Sequence, residues 1–189
     1  MRATTSFPVP VSPSNSTLNA VSETTVIITT DHGEEFRDHD GLSHDGKMYE
    51  ELVHVPQLIV HPPEGEGQRC GTLVSGLDIS PTVLHLLGLA PEPNFQGQSL
   101  FPLRSYEDQG VYGEAIGKLA HKVKETDRPA YYYMKDSLKM IYREEEDGWE
   151  MYDLAEDPGE QENIFDASSK ASEMKEKLAS RIGREPALK

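Results

Sequence analysis

Cysteine is nearly missing from this chain. Cys70 is the single one in 189 residues, so no disulfide can form within it and the redox compartment stays open. Long apolar runs are missing too: no stretch approaches the 18 consecutive apolar residues of a membrane-spanning helix. The opening residues, MRATTSFPVPVSPSNS, carry an arginine with no apolar segment behind it, so they do not read as a secretory signal. The cytoplasm is then the default expectation. Basic residues are scarce, with 18 Lys and Arg against 33 Asp and Glu, a net charge of −15. That balance argues against nucleic acid or anionic lipid as partners, because both reward basic patches. It fits a self-repelling soluble surface, or adaptation to a salty interior where such repulsion is screened.

What is present is enough for one core. A chain of this length buries about 70 % of its unfolded surface, leaving room for one domain and a small appendage. Residues 1–20, rich in Ser, Thr and Pro, read as a flexible lead-in. Residues 18–23 suggest a short helical remnant feeding the next element. The continuous run VIITT at 26–30 predicts a strand buried on both faces, as in a parallel sheet. QLIVH at 57–61 predicts a second strand, closed by Pro62-Pro63, and residues 64–71 a surface turn. Ser80-Pro81 reads as a helix N-cap with proline at the first helical position, and Gly88 as the C-cap behind an apolar stripe of Val83, Leu84, Leu86 and Leu87. From Val111 the pattern changes to short aromatic and β-branched runs, VYGEAIG, AYYYMK, LKMIYR and WEMYDL, split by polar turns. These predict an antiparallel meander. In residues 167–182, Ala171, Met174, Leu178 and Ile182 recur at helical spacing, with Gly183 as the stop. The expected layout is a lead-in (1–20), an α/β part (21–105), and a small antiparallel subdomain with a terminal helix (106–189).

Open α/β sheets place ligand sites beyond the carboxyl ends of their strands. The run at 26–30 ends in Asp31-His32-Gly33-Glu34, and His39, His44 and Lys47 follow closely. Adjacent residues point to opposite faces of a strand, but where the strand ends the backbone turns, and Asp31 and His32 can then reach one ion. Carboxylate suits Ca²⁺ or Mg²⁺, and imidazole suits Zn²⁺, Mn²⁺ or Fe. Each residue alone also has a plain reading: Asp31 caps a turn beside a solvated histidine, Lys47 is a solvated lysine, and Tyr49-Glu50-Glu51 caps a helix.

Taken together, VIITTDHGEEF, DHDGLSHDGKMYEELVHVP, LDISPTVLHLLGL and FQGQSLFP resemble, in order, the carboxyl-terminal half of the sulfatase family. WEMYDLAEDPGEQENI resembles that family's late W/L-Y-D-L-x-x-D-P-x-E-x-x-N segment. The resemblance runs across roughly residues 22–166. It implies the alkaline-phosphatase-like α/β sandwich with a small carboxyl-terminal antiparallel sheet. It also implies sulfate-ester hydrolysis with one divalent cation, Ca²⁺ first, with Mg²⁺, Mn²⁺ or Zn²⁺ as alternatives. Asp31 and His32 would be two ligands of that ion, although many members carry Asn where this chain has His32. His44 matches the histidine of a Gly-His-Gly segment that contacts the sulfate or its leaving oxygen, here flanked by Ser43 and Asp45. Lys47 matches a lysine found near this point. His39 matches a recurrent loop histidine without an assigned role. His44 and Lys47 are thus the implied catalytic and substrate-binding residues.

The family's nucleophile is a formylglycine made from a C/S-x-P-x-R motif, and these 189 residues contain none; Cys70 sits in Q-R-C-G-T-L. The expectation is therefore a sulfatase-like chain that is inactive alone. Its substrate would be a sulfate ester, and a subunit of a split enzyme, completed by a separately encoded amino-terminal half, is one alternative. Two other readings stay open: a phosphohydrolase or phosphotransferase of the same superfamily, and a non-catalytic fragment.

Overall fold

A computed structural model describes residues 2–3, 24–42, 47–61, 69–115, 128–144 and 148–182. In chain order the elements are β1 (Arg2–Ala3), β2 (Val26–Thr29), α1 (Glu50–Val53), β3 (His54–Val55), β4 (Gln57–Val60), β5 (Val74–Ser75), α2 (Ile79–Leu86), β6 (Val111–Ala115), β7 (Ala130–Lys135), β8 (Leu138–Arg143), β9 (Gly148–Asp153) and α3 (Ala171–Ile182). The strands form three sheets, ordered β3-β1-β5, β2-β4 and β6-β7-β8-β9. Of the expected lead-in, Arg2–Ala3 form the middle strand of the first sheet, parallel to β3 and antiparallel to β5. The proposed helical remnant at 18–23 and most of the turn at 64–71 lie outside the described residues. No helix among the described residues is long and apolar enough to cross a membrane.

The carboxyl-terminal sheet is the meander that the sequence predicts. All three of its pairings are antiparallel between consecutive strands. Alternation puts Tyr132, Met134, Ile141 and Tyr152 on one face, packed against Met48, Leu52, Val53 and Leu73 from the earlier part of the chain. The opposite face presents Tyr131, Tyr133, Met140, Tyr142 and Met151 to α3, which contributes Met174 and Leu178. Both faces are therefore buried, which is why the runs read as nearly continuous apolar sequence. The terminal helix starts at Ala171, four residues inside the expected 167–182, and its apolar positions are those the periodicity names.

Two expectations fail. The strand at 26–30 is not buried in a parallel sheet: β2 pairs antiparallel with β4, and Ile28 is 55 % exposed. A run of β-branched residues specifies extended backbone and a preference for burial, but not which neighbour covers it. Here β4 is the one strand bonded to it among the described residues. The N-cap of α2 is also not Ser80. A 3₁₀ turn, Gly76–Asp78, leads into the helix; Ser75 Oγ accepts from Leu77 N (3.2 Å) and Asp78 Oδ2 accepts from Ser75 N (2.8 Å). This reciprocal pair starts the helical run earlier and leaves Pro81 in the first turn, where its missing N–H costs nothing. The other end follows the sequence: Gly88 has φ +71, and the Leu89 and Gly88 amides donate to the Leu84 and His85 carbonyls.

Candidate active site

The site grows from the end of β2. Gly33 follows Asp31-His32 and donates its amide to Leu52 O (2.9 Å), which pins the strand end to α1. A Cβ at Gly33 would lie 1.9 Å from Glu51 O, so this close backbone approach admits only glycine. Just before it, Asp31 is almost fully solvent-facing. Asp31 Oδ2 and His32 Nε2 stand 3.8 Å apart on the same side of the turn. His32 Nδ1 lies 2.6 Å from Gly33 O, and a carbonyl can only accept, so Nδ1 carries the hydrogen and Nε2 carries the lone pair in the neutral ring. Backbone amides at the turn, and then the neighbouring His32, hold the Asp31 carboxyl below its usual range. A carboxylate and a lone-pair nitrogen so placed suit a divalent cation, with a backbone carbonyl orienting the imidazole. They supply only part of a shell: among the described residues no group of three or more His, Cys, Asp or Glu converges on one point.

The loop after Gly33 folds around one carboxylate. Glu35 is 1 % exposed, and its Oε1 accepts from Gly41 N (2.6 Å), His39 N (3.1 Å) and Lys47 Nζ (2.9 Å). Burial pushes this carboxyl up, but the Lys47 ammonium and the two amides outweigh it, and the net displacement is downward. Lys47, named from sequence as a substrate contact, is 32 % exposed and also donates to His39 O (2.7 Å). Its ammonium is thereby held at the loop surface with part of its hydration intact. Arg37, Asp40 and Met48 all have positive φ, near +77, +65 and +64. Such left-handed, non-glycine residues cost energy and concentrate in segments whose shape serves a function. His44 lies outside the described residues.

His39 turns inward. Its Nδ1 is 2.7 Å from Glu51 Oε1, its Nε2 is 3.2 Å from Glu160 O, and its ring stacks on Tyr49 at 3.6 Å and 8°. Tyr49 in turn donates to Glu150, which Arg143 also binds, with its guanidinium over the Tyr49 ring. The structure thus brings Asp31 with His32, and Lys47 with His39. Sequence reasoning passed over the carboxylates and lysine that hold this arrangement: Glu35, Glu160 and Lys139. Lys139 gave a usable signal, a charge set between Leu138 and Met140 inside the strand LKMIYR; Glu35 gave none.

Comparison with known proteins places the chain in a family. Residues 39–186 match the family described as N-sulphoglucosamine sulphohydrolase, C-terminal. Arylsulfatase K of Xenopus laevis is 31 % identical over 169 residues, covering 85 % of this chain and 31 % of that protein. A crystal structure from Bacteroides thetaiotaomicron, whose protein carries a provisional sulfatase assignment, is similar at TM-score 0.70 and 25 % identity, over 87 % of this chain and 36 % of its own. The phosphonate monoester hydrolase of Agrobacterium radiobacter is similar at TM-score 0.69 and 25 % identity, over 88 % of this chain and 36 % of its own. The chain spans about a third of the length of these relatives. Profile, sequence relatives and fold converge, and the chain belongs to the sulfatase family, matching its carboxyl-terminal region.

Proposed function

We propose that this chain supplies the carboxyl-terminal side of a sulfuric-ester hydrolase site that works with a divalent cation, Ca²⁺ first. The observation that carries this reading is the Asp31–His32 donor pair at the end of β2, in a chain of the sulfatase family. When bound, the cation supplies Lewis acidity toward the ester's oxygens. Asp31 and His32 are its proposed ligands here, and the Gly33 carbonyl fixes the His32 tautomer. Lys47, anchored through Glu35, offsets negative charge on the sulfuryl group. His44 is the proposed donor of a proton to the departing alkoxide, a step worth about 10²–10⁴-fold.

The remaining chemistry needs a nucleophile. A formylglycine-forming C/S-x-P-x-R motif is not among these residues, so the proposed nucleophile comes from an amino-terminal half that bears one, on the same chain or on a separately encoded one. The test is an aryl sulfate assay with Ca²⁺, using the chain alone and mixed with such a half. Turnover only in the mixture, lost in Asp31→Ala, supports the proposal. Metal-dependent turnover by the chain alone, abolished by His44→Ala, overturns the need for the partner, and silence in both overturns the enzymatic reading. A second reading, a phosphohydrolase of the same superfamily, is favoured by the likeness to the phosphonate monoester hydrolase. Faster cleavage of an aryl phosphonate ester than of an aryl sulfate, with Mn²⁺ or Zn²⁺, would establish it.

A further inference from the structure

We propose that Glu160, in the late segment D-P-G-E-Q-E-N, is a positioning residue: it locks the loop of His39 and Lys47 to the antiparallel subdomain, which thereby sets the geometry of the site. The lock is a set of contacts that spans more than a hundred residues of chain. Glu160 Oε2 accepts the Glu50 amide at 2.6 Å, at the start of α1, and its backbone carbonyl faces His39 Nε2 at 3.2 Å. Its Oε1 is 2.8 Å from Lys139 Nζ, and the same ammonium reaches Glu50 Oε1 at 3.2 Å. Lys139 is 0 % exposed and Glu160 2 %.

A lysine placed wholly inside a protein is costly unless its charge is paired. The two carboxylates that pair it come one from the site side and one from the subdomain. The Glu50 contact to Lys139, and the Glu160 contact to the Glu50 amide, therefore form only when the two parts are docked. Glu160 itself has φ +53, a conformation side chains rarely adopt, so its backbone is held out of its preferred region to make these contacts. On the site side, Glu50 and Glu51 follow Tyr49, on which the His39 ring stacks, so one residue touches both ends of the loop that Glu35 closes. The consequence for ester hydrolysis rests on the sulfatase reading; the lock itself rests on these contacts alone.

The test measures amide exchange by NMR in the full chain for Glu160→Ala, Glu160→Gln and, as a control, Leu178→Ala on the other face of the sheet. Mn²⁺ affinity is measured alongside by electron paramagnetic resonance. Glu160→Ala should speed exchange of the Glu50, His39 and Gly41 amides roughly tenfold, the loss of about one buried hydrogen bond. The Tyr132 and Ile141 amides of the sheet should change less, because Glu50 still pairs the Lys139 ammonium. Glu160→Gln, which keeps an acceptor for the Glu50 amide, should restore most of the protection, and Leu178→Ala should leave the loop amides as they are. Mn²⁺ affinity should fall roughly tenfold in Glu160→Ala, because α1, whose first amide Glu160 holds, also accepts the Gly33 amide directly behind Asp31 and His32. Should Glu160→Ala not fold, His39→Gln must open the same amides.

Unchanged loop exchange, equal loosening of loop and sheet, or no rescue by glutamine would overturn the lock. Absence of Mn²⁺ binding by the unaltered chain at millimolar metal would instead overturn the metal reading, and the exchange data would still decide the lock.

Discussion

Replacing Glu35 tests whether the site loop is organised around a buried carboxylate. Glu35 Oε1 collects three donors, two of them backbone amides, and Lys47 is its charge partner. In Glu35→Ala those amides lose their acceptor, and among the described residues Lys47 keeps the His39 carbonyl. Removing one partner of a fully buried pair costs about 3–5 kcal/mol. Lys47 is 32 % exposed and regains some hydration, so the expected loss is about 2–3 kcal/mol. Glu35→Gln keeps one carbonyl oxygen and should lose about 1–2 kcal/mol. The fluorescence of Trp149, the only tryptophan, reports urea unfolding from within β9.

The pH dependence has a definite sign. The folded Glu35 carboxyl lies below its ordinary value, so its stabilisation is complete above the unfolded value of about 4.3 and is lost as pH falls through the lower, folded one. The gap between wild type and Glu35→Gln should therefore be widest near neutrality and close in acid. Glu160, whose carboxyl burial pushes upward, contributes a slope of the opposite sign, which cancels when the two proteins are compared. A Glu35→Ala protein within about 0.5 kcal/mol of wild type at pH 7 would refute the reasoning, because that is the scatter of ordinary surface changes.

Gly41→Ala should destabilise by about 1–3 kcal/mol, since the new methyl would sit 2.3 Å from Glu35 Oε2 and 2.7 Å from Lys47 Nζ; thermal unfolding unchanged from wild type would contradict the loop geometry. Leu178→Ala empties a 0 % exposed position between α3 and the sheet and should cost about 2–5 kcal/mol, read by urea unfolding. Calorimetry with Ca²⁺ and Mn²⁺ should give an affinity no tighter than roughly micromolar, because two side chains fill little of a six-to-eight-oxygen shell. Asp31→Ala should abolish it, and nanomolar Ca²⁺ binding that survives this change would exclude the Asp31–His32 site.

The meander, the terminal helix and the Gly88 stop were legible because each rests on local rules. Alternation with period two, helical spacing of Met174 and Leu178, and a left-handed glycine all act within a few residues. The D-H-G string was legible as chemistry, and the need for its glycine follows from a contact with α1 that no local rule contains. Misreadings occurred where the outcome depended on a distant neighbour. The apolar run of β2 said strand but could not say antiparallel, because pairing is chosen by whichever segment arrives beside it. The tie of Lys47 to a carboxylate twelve residues earlier likewise has no local signal.

By itself, then, the sequence determined the family, the local elements and the donor types at the site. Tertiary structure alone decided which charges share a partner. Glu160 and Glu50 meet on Lys139, with Glu50 standing 89 residues before that lysine and 110 before Glu160, and such pairing has no periodicity to betray it. Its physical basis is desolvation: once the sheet buries an ammonium, carboxylates from either side must converge on it, wherever they stand in the chain.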